Sequence, residues 1–201
     1  MKKHKTWIQY AVLATVVLTL YLTGLHTEVI AFAQRGVLAT GIMNPDVTEL
    51  TEQQNSTGGT TTLNYPVKAN FNVDLKDKDG NVISLSTLKG KVVFINLWAT
   101  WCPPCIAEMP SIDKLHQELG DEVAFVILSL DQDFKNAVAF NKRKGYNLPI
   151  YSAVKELPAS YQSAAIPTTY VIDKEGNIVL THKGMANYDS ASFKAFLKRM
   201  L

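Results

Sequence analysis

The chain of 201 residues has only two cysteines and four histidines, and that scarcity narrows its chemistry. His4, His26, His116 and His182 show no H-x₃₋₅-H spacing, so they do not complete a zinc site with Cys102 and Cys105. No second cysteine pair exists, which excludes a disulfide framework. Basic clusters are missing too: the net charge of +2 comes from 20 Lys and Arg against 18 Asp and Glu, spread along the chain. That pattern leaves no nucleic-acid face. Internal repeats are absent. At this length, with 47% hydrophobic residues, the chain can build one core and an appendage but hardly two full domains.

What is present begins at the N-terminus. Lys2, Lys3 and Lys5 precede an uncharged run from Trp7 to Leu25, which as a helix would reach roughly 28 Å, close to a bilayer's hydrocarbon thickness. Trp7, Tyr10 and Tyr21 lie toward its ends, where aromatic rings favour the interface, and the lysines favour the cytoplasmic side. Ala31-Phe32-Ala33 resembles a signal-peptidase site, but the run is longer than a signal core and polar residues separate the two. Residues 1–26 are therefore expected to be an uncleaved membrane anchor that holds the rest in the periplasm or another extracytoplasmic space. Outside the cytoplasm, cysteines serve as staples or as reagents. A bridge across so short a loop removes little chain entropy, so Cys102 and Cys105 are reagents.

Residues 27–64 read as a juxtamembrane segment and linker. Thr27 to Met43 suits either an interfacial helix or an irregular stretch, because Gly36 and Gly41 weaken a helix. Asn44 to Asn64 is rich in Ser, Thr, Gly and Gln, as in a flexible linker, and includes a sequon, Asn55-Ser56-Thr57.

Residues 65–201 alternate strand and helix signals. Phe71 to Leu85 predicts a hairpin turning at Asp79-Gly80-Asn81. Lys91 to Trp98 and Glu122 to Leu130 are near-continuous apolar runs, as in strands covered on both faces. Between them a helix runs from Pro103 to about Leu119 with Gly120 as a C′ residue, completing a parallel βαβ unit. Asp133 caps a helix ending at Gly145. Leu148 to Tyr151 suits a short strand, and Pro158 to Ala164 a short helix. Thr168 to Asp173 and Asn177 to His182 form a hairpin. Phe193, Phe196, Leu197 and Met200 line one face of a closing helix.

That element order, with "FINLWATWCPPCIAEMPSI" and "IPTTYVIDKEGNI", resembles the membrane-anchored TlpA/ResA-type thioredoxin-like proteins over roughly residues 65–201. The resemblance implies an α/β thioredoxin fold: a central mixed sheet flanked by helices, with an N-terminal β-hairpin and an insertion before a cis-proline loop, preceded by a transmembrane helix. It also implies that Ile166-Pro167-Thr168 is the cis-proline loop beside the CxxC helix, and that Pro110 kinks that helix.

The residues themselves suggest a division of labour. Cys102 sits at a helix N-terminus, where orphan N–H groups and the helix dipole favour a thiolate. Pro103 suits the first helical position, and Cys105 lies about one turn on. Cys102 is expected to attack a substrate disulfide and Cys105 to resolve the mixed disulfide. Glu108 lies three residues beyond Cys105 and is either a base for that step or a solvated helix glutamate. Many thioredoxins carry a buried aspartate six residues before the first cysteine. Asn96 stands there and cannot be a base, which favours Glu108. Trp101, Pro103, Pro104, Ile166, Pro167 and Thr168 are the expected substrate-binding surface. Trp98 is expected in the core, and His116 and His182 on the surface.

The expected function is an extracytoplasmic thiol–disulfide oxidoreductase without cofactor or metal, whose redox-active disulfide is Cys102–Cys105. The resemblance implies a reductase of disulfides in exported proteins, of the cytochrome c maturation or metallochaperone type. Its electrons would come from a membrane thiol donor of the DsbD/CcdA kind. A disulfide oxidase or isomerase with the same site is the alternative enzyme. A Cu(I)-binding module is the non-catalytic rival, since a thiolate pair suits Cu(I).

Overall fold

The computed structural model describes residues 2–23, 25–41, 43–45, 47 and 67–201. Most of the expected linker, with Asn55-Ser56-Thr57, lies outside the described residues.

The N-terminal part contains two helices, α1 (Lys2–Leu22) and α2 (Leu25–Ala39). They are bent by 94° to each other, so the apolar run Trp7 to Leu25 does not form the single helix expected of it. Thr23-Gly24, where it divides, has low helix propensity. Among the described residues no single helix is long and apolar enough to cross a membrane. The bent pair Trp7–Leu22 and Leu25–Leu38 meets the length and composition test only together. The segment after the run is helical and lies on the folded domain. Ala31 and Leu38 of α2 are buried in the main core cluster, and Glu28 accepts from Lys144 Nζ at 2.7 Å and Arg143 Nη2 at 3.3 Å.

The remaining elements are β1 (Val67–Lys68), β2 (Asp74–Asp77), β3 (Val82–Ser84), β4 (Val92–Trp98), α3 (Pro103–Leu119), β5 (Val123–Ser129), α4 (Phe134–Lys144), β6 (Ile150–Ala153), β7 (Thr168–Ile172), β8 (Asn177–Lys183) and α5 (Ala191–Lys198). The strands form one sheet in the order β1-β8-β7-β4-β5-β6-β2-β3. β4 pairs parallel with β5 and antiparallel with β7, so the sheet is mixed and β4 is central. Every residue of β4 is buried, because both faces are covered. Val92, Phe94 and Trp98 pack with α3, α4 and α5, whereas Val93, Ile95 and Leu97 pack with Leu85, Tyr161 and Tyr170.

The local punctuation follows from backbone chemistry. The β2–β3 hairpin turns through Gly80 at φ +87°, and Asp77 accepts N–H groups of Asp79 and Asn81. Asp133 caps α4 through the Lys135 N–H, and Gly145 ends it at φ +69°. Gly120 ends α3 differently from the expected left-handed cap: it stays right-handed at φ −65°, its N–H bonded to the His116 carbonyl. The expected helix after Pro158 is a 3-10 turn at Ala159–Tyr161.

The histidines also depart from expectation. His116 is half-buried edge-on to Phe125, and His182 is half-buried edge-on to Tyr188. Burial lowers the pKa of both.

Candidate functional site

β4 is continuous with the site. It ends at Trp98, which is buried as expected, and Ala99-Thr100-Trp101 then carries the chain into α3. Asp131, just past β5, holds this turn: its carboxylate accepts the Thr100 N–H at 3.2 Å, the Thr100 hydroxyl at 2.6 Å and the Ser129 hydroxyl at 2.8 Å. Cys102 is the N-cap residue of α3, and its Sγ accepts the Cys105 N–H at 3.3 Å. Pro103 occupies the first helical position, where the missing N–H costs nothing. The two Sγ atoms form a disulfide 2.08 Å long. Cys102 keeps 4% of its surface exposed and Cys105 none, so an incoming sulfur meets Cys102 first. Trp101 projects beside it, 59% exposed.

The Ile166–Pro167 peptide bond is cis, as the resemblance implied. It places the Ile166 carbonyl oxygen 3.8 Å from Cys102 Sγ. Thr168 is buried, and its hydroxyl donates to the Ala165 carbonyl at 2.7 Å, fixing the loop. Pro103, Pro104 and Ile166 are partly exposed around the disulfide, whereas Pro167 and Thr168 are buried beneath it. The six residues expected to bind substrate thus divide into an exposed rim and an inner support.

Glu108 is fully buried, which removes the solvated-helix alternative. Its Oε1 accepts Asn96 Nδ2 at 2.8 Å, and its Oε2 accepts the Ala186 N–H at 3.0 Å. Burial outweighs both hydrogen bonds and pushes its pKa up to about 8. Asn96 Nδ2 also donates to Thr169 Oγ1 at 2.9 Å, and the same oxygen accepts the Tyr188 hydroxyl at 2.7 Å. A string of buried polar groups therefore runs from α3 through β4 and β7 to Tyr188. Asn96 Oδ1 has no partner. Sequence reasoning singled out Asn96 only as a non-base and missed Ala186, Thr169, Tyr188 and Asp131. A lone signal was available for one of them: Thr169 is a polar residue inside an otherwise covered strand.

Chemically, the arrangement presents one near-surface sulfur at a helix N-terminus, a second buried sulfur behind it, and a carboxyl one turn further on. A free thiol titrates near 8.5, so a carboxyl at about 8 is closely matched to it for proton exchange.

Comparison with known proteins agrees with this geometry. The chain is 39% identical over 113 residues to "Thioredoxin-like protein YneN" of Bacillus subtilis, covering 55% of this chain and 66% of that protein. It is 35% identical over 116 residues to "Thiol-disulfide oxidoreductase ResA" of Bacillus thuringiensis subsp. konkukian, covering 56% and 66%. The chain thus spans just under two thirds of these relatives' length. A solved structure of a thiol:disulfide interchange protein of the thioredoxin family from Chlorobium tepidum superposes with a TM-score of 0.58 at 28% identity, covering 69% of this chain and 99% of that one. The Redoxin family model matches residues 45–197, well over half of the chain, and this protein belongs to the Redoxin family.

Proposed function

We propose that this protein is a thiol–disulfide oxidoreductase that reduces disulfides in exported proteins. The observation that carries the proposal is the Cys102–Cys105 disulfide at the N-terminus of α3, with the buried Glu108 one turn behind Cys105. In the reduced protein the Cys102 thiolate attacks a substrate disulfide, forming a mixed disulfide and releasing one substrate thiolate, which is protonated. Glu108, as carboxylate, takes the Cys105 proton. The Cys105 sulfur then attacks Cys102, which restores the disulfide and releases the second substrate thiolate. The second substrate thiolate takes the proton that Glu108 holds and the first takes one from water, so two electrons and two protons reach the substrate in each turnover. A membrane dithiol carrier of the DsbD/CcdA kind returns them, and cytochrome c maturation or metallochaperone cysteine pairs are the target class.

The direction rests on what stabilises the thiolate. The helix N-terminus favours it. The Ile166 carbonyl at 3.8 Å, the apolar Trp101 and the absence of a histidine between the cysteines do not. A thiolate with little support leaves the reduced form a good electron donor.

Location belongs to the same proposal. Lys2, Lys3 and Lys5 stand in the first turn of α1, most of whose apolar side chains from Trp7 to Leu22 are exposed, and these features support a membrane anchor with the catalytic domain outside the cytoplasm. The deciding experiment for the activity is single-turnover reduction of a protein disulfide by the dithiothreitol-reduced, desalted protein. Wild type should consume one substrate disulfide per molecule and Cys102→Ser none. Consumption by Cys102→Ser equal to wild type would overturn the assignment.

A further inference from the structure

A groove of about 1040 Å³ runs along α4 and the β6–β2 side of the sheet, and neither cysteine lines it. Its two walls connect to the two loops that flank Cys102. The β5–α4 loop on one side reaches the active-site turn through Asp131 and Thr100. The segment from Lys155 to Ser163 on the other reaches the cis-proline loop, where Ser163 Oγ and Thr168 Oγ1 are 2.9 Å apart. The groove thus adjoins both loops that flank Cys102.

Lysine dominates the lining. Lys76, Lys135, Lys142 and Lys155 all border the groove with exposed side chains, and among the described residues none of them forms an ion pair. Lys78, the fifth, pairs with Asp79. The carboxylates that share the groove are engaged locally: Asp131 with Thr100 and Ser129, Asp133 as the cap of α4, and Glu156 with Gln162. Elsewhere on the domain some lysines are matched, as where Lys194 and Lys198 meet Glu118, whereas Lys68, Lys89, Lys91, Lys174 and Lys183 also form no ion pair among the described residues. Four lysines without an ion pair among the described residues thus border this one groove. Leu130, Val138 and Leu157 add apolar surface between the lysines.

We infer that this groove docks an acidic, extended segment that flanks the target disulfide of the substrate protein. This deepens the proposed function and rests on it for the word substrate. The occupant is defined by charge complementarity: carboxylates meet the free ammonium groups, and intervening apolar side chains meet Leu130 and Leu157. Three exposed ion pairs at the middle of the usual range for surface pairs give about tenfold in affinity, and salt screens that advantage.

The test has two arms on the full-length protein. In the first, the oxidised protein is titrated by fluorescence anisotropy with fluorescein-labelled, cysteine-free peptides carrying four Glu or four Gln at matched positions. The Glu peptide should bind about tenfold more tightly, and the advantage should fall to within twofold in Lys135→Gln/Lys142→Gln/Lys155→Gln. A control double variant, Lys89→Gln/Lys91→Gln, should keep it. Equal binding of the two peptides, or a preference that survives removal of the three lysines, overturns the docking site. In the second arm, the same tails are fused to a disulfide-bonded peptide whose reduction by the dithiothreitol-reduced protein is followed. Tail-dependent rates lost in the triple variant support the inference, and equal rates for both tails overturn it as a substrate site. If neither disulfide is reduced, the reductase reading falls, and the anisotropy arm still decides whether the groove binds acidic chain.

Discussion

Replacing Glu108 by Gln should change how stability depends on pH more than it changes stability itself. Glu108 is held at a pKa of about 8 in the folded protein, against 4.5 ordinarily, chiefly because burial disfavours its charge. Below pH 4.5 both folded and unfolded chains carry the proton, and the fold is at full strength in this respect. Between 4.5 and 8 the unfolded chain releases the proton while the folded one keeps it, so stability falls as pH rises. Above 8 the loss is complete. The slope reaches about 1.4 kcal/mol per pH unit, which amounts to about 4 kcal/mol between pH 5 and 8.

Gln fits the same space. Its carbonyl can accept the Ala186 N–H, and its amide can donate to Asn96 if Asn96 rotates to present Oδ1, the atom that lacks a partner. Urea unfolding of the oxidised wild type and of Glu108→Gln at pH 5, 6, 7 and 8 gives a difference curve. The difference is the proper quantity, because burial lowers the pKa of His116 and His182, and those groups make stability rise with pH up to about 6.5 in both proteins. Asp77 and Glu118, two carboxylates held below their ordinary pKa by hydrogen bonds, act below pH 4.5 and leave the window untouched. The wild type should lose several kcal/mol relative to the variant across the range. Parallel curves would refute the reasoning, since they would mean that Glu108 ionises normally in the fold.

The kinetic counterpart is that Glu108→Gln slows resolution of the mixed disulfide by about 10² or more, the usual contribution of a general base, and removes the rise in rate that tracks ionisation near pH 8. Stopped-flow tryptophan fluorescence reads both. Cys105→Ser should accumulate mixed disulfides with substrate, visible on non-reducing gels, whereas Cys102→Ser should form none. The reverse pattern would exchange attacker and resolver. Equilibration in dithiothreitol buffers should give a potential more negative than about −220 mV, and a value near −120 mV would instead indicate an oxidase. Asp131→Ala releases three hydrogen bonds that hold Thr100 and Ser129, and should cost about 2 kcal/mol in urea unfolding; a loss below about 0.5 kcal/mol would show that the turn holds without it.

The parts of this molecule that could be read from the sequence are those where one residue's local chemistry decides the outcome. Covered strands announce themselves as apolar runs, Asp133 and Gly145 bound a helix by capping geometry, and Pro103 can stand only where an N–H is dispensable. The sulfur pair belongs to this class, since a spacing of three residues within a helix brings both atoms to one face. What could not be read depends on partners distant in the chain. A helix glutamate at position 108 is buried among residues far along the chain, including Ala186, 78 residues later, which donates its N–H to it. The same holds for α2: two glycines near its end argue against a helix locally, whereas Ala31 and Leu38 gain a core to enter only once α3 is in place. Tertiary packing overrides weak propensity there. Asn96 shows how the two kinds of information combine. From sequence it was only the absence of a base. In the fold it bridges Glu108 and Thr169, and so holds the carboxyl in place in a site too dry to ionise it readily.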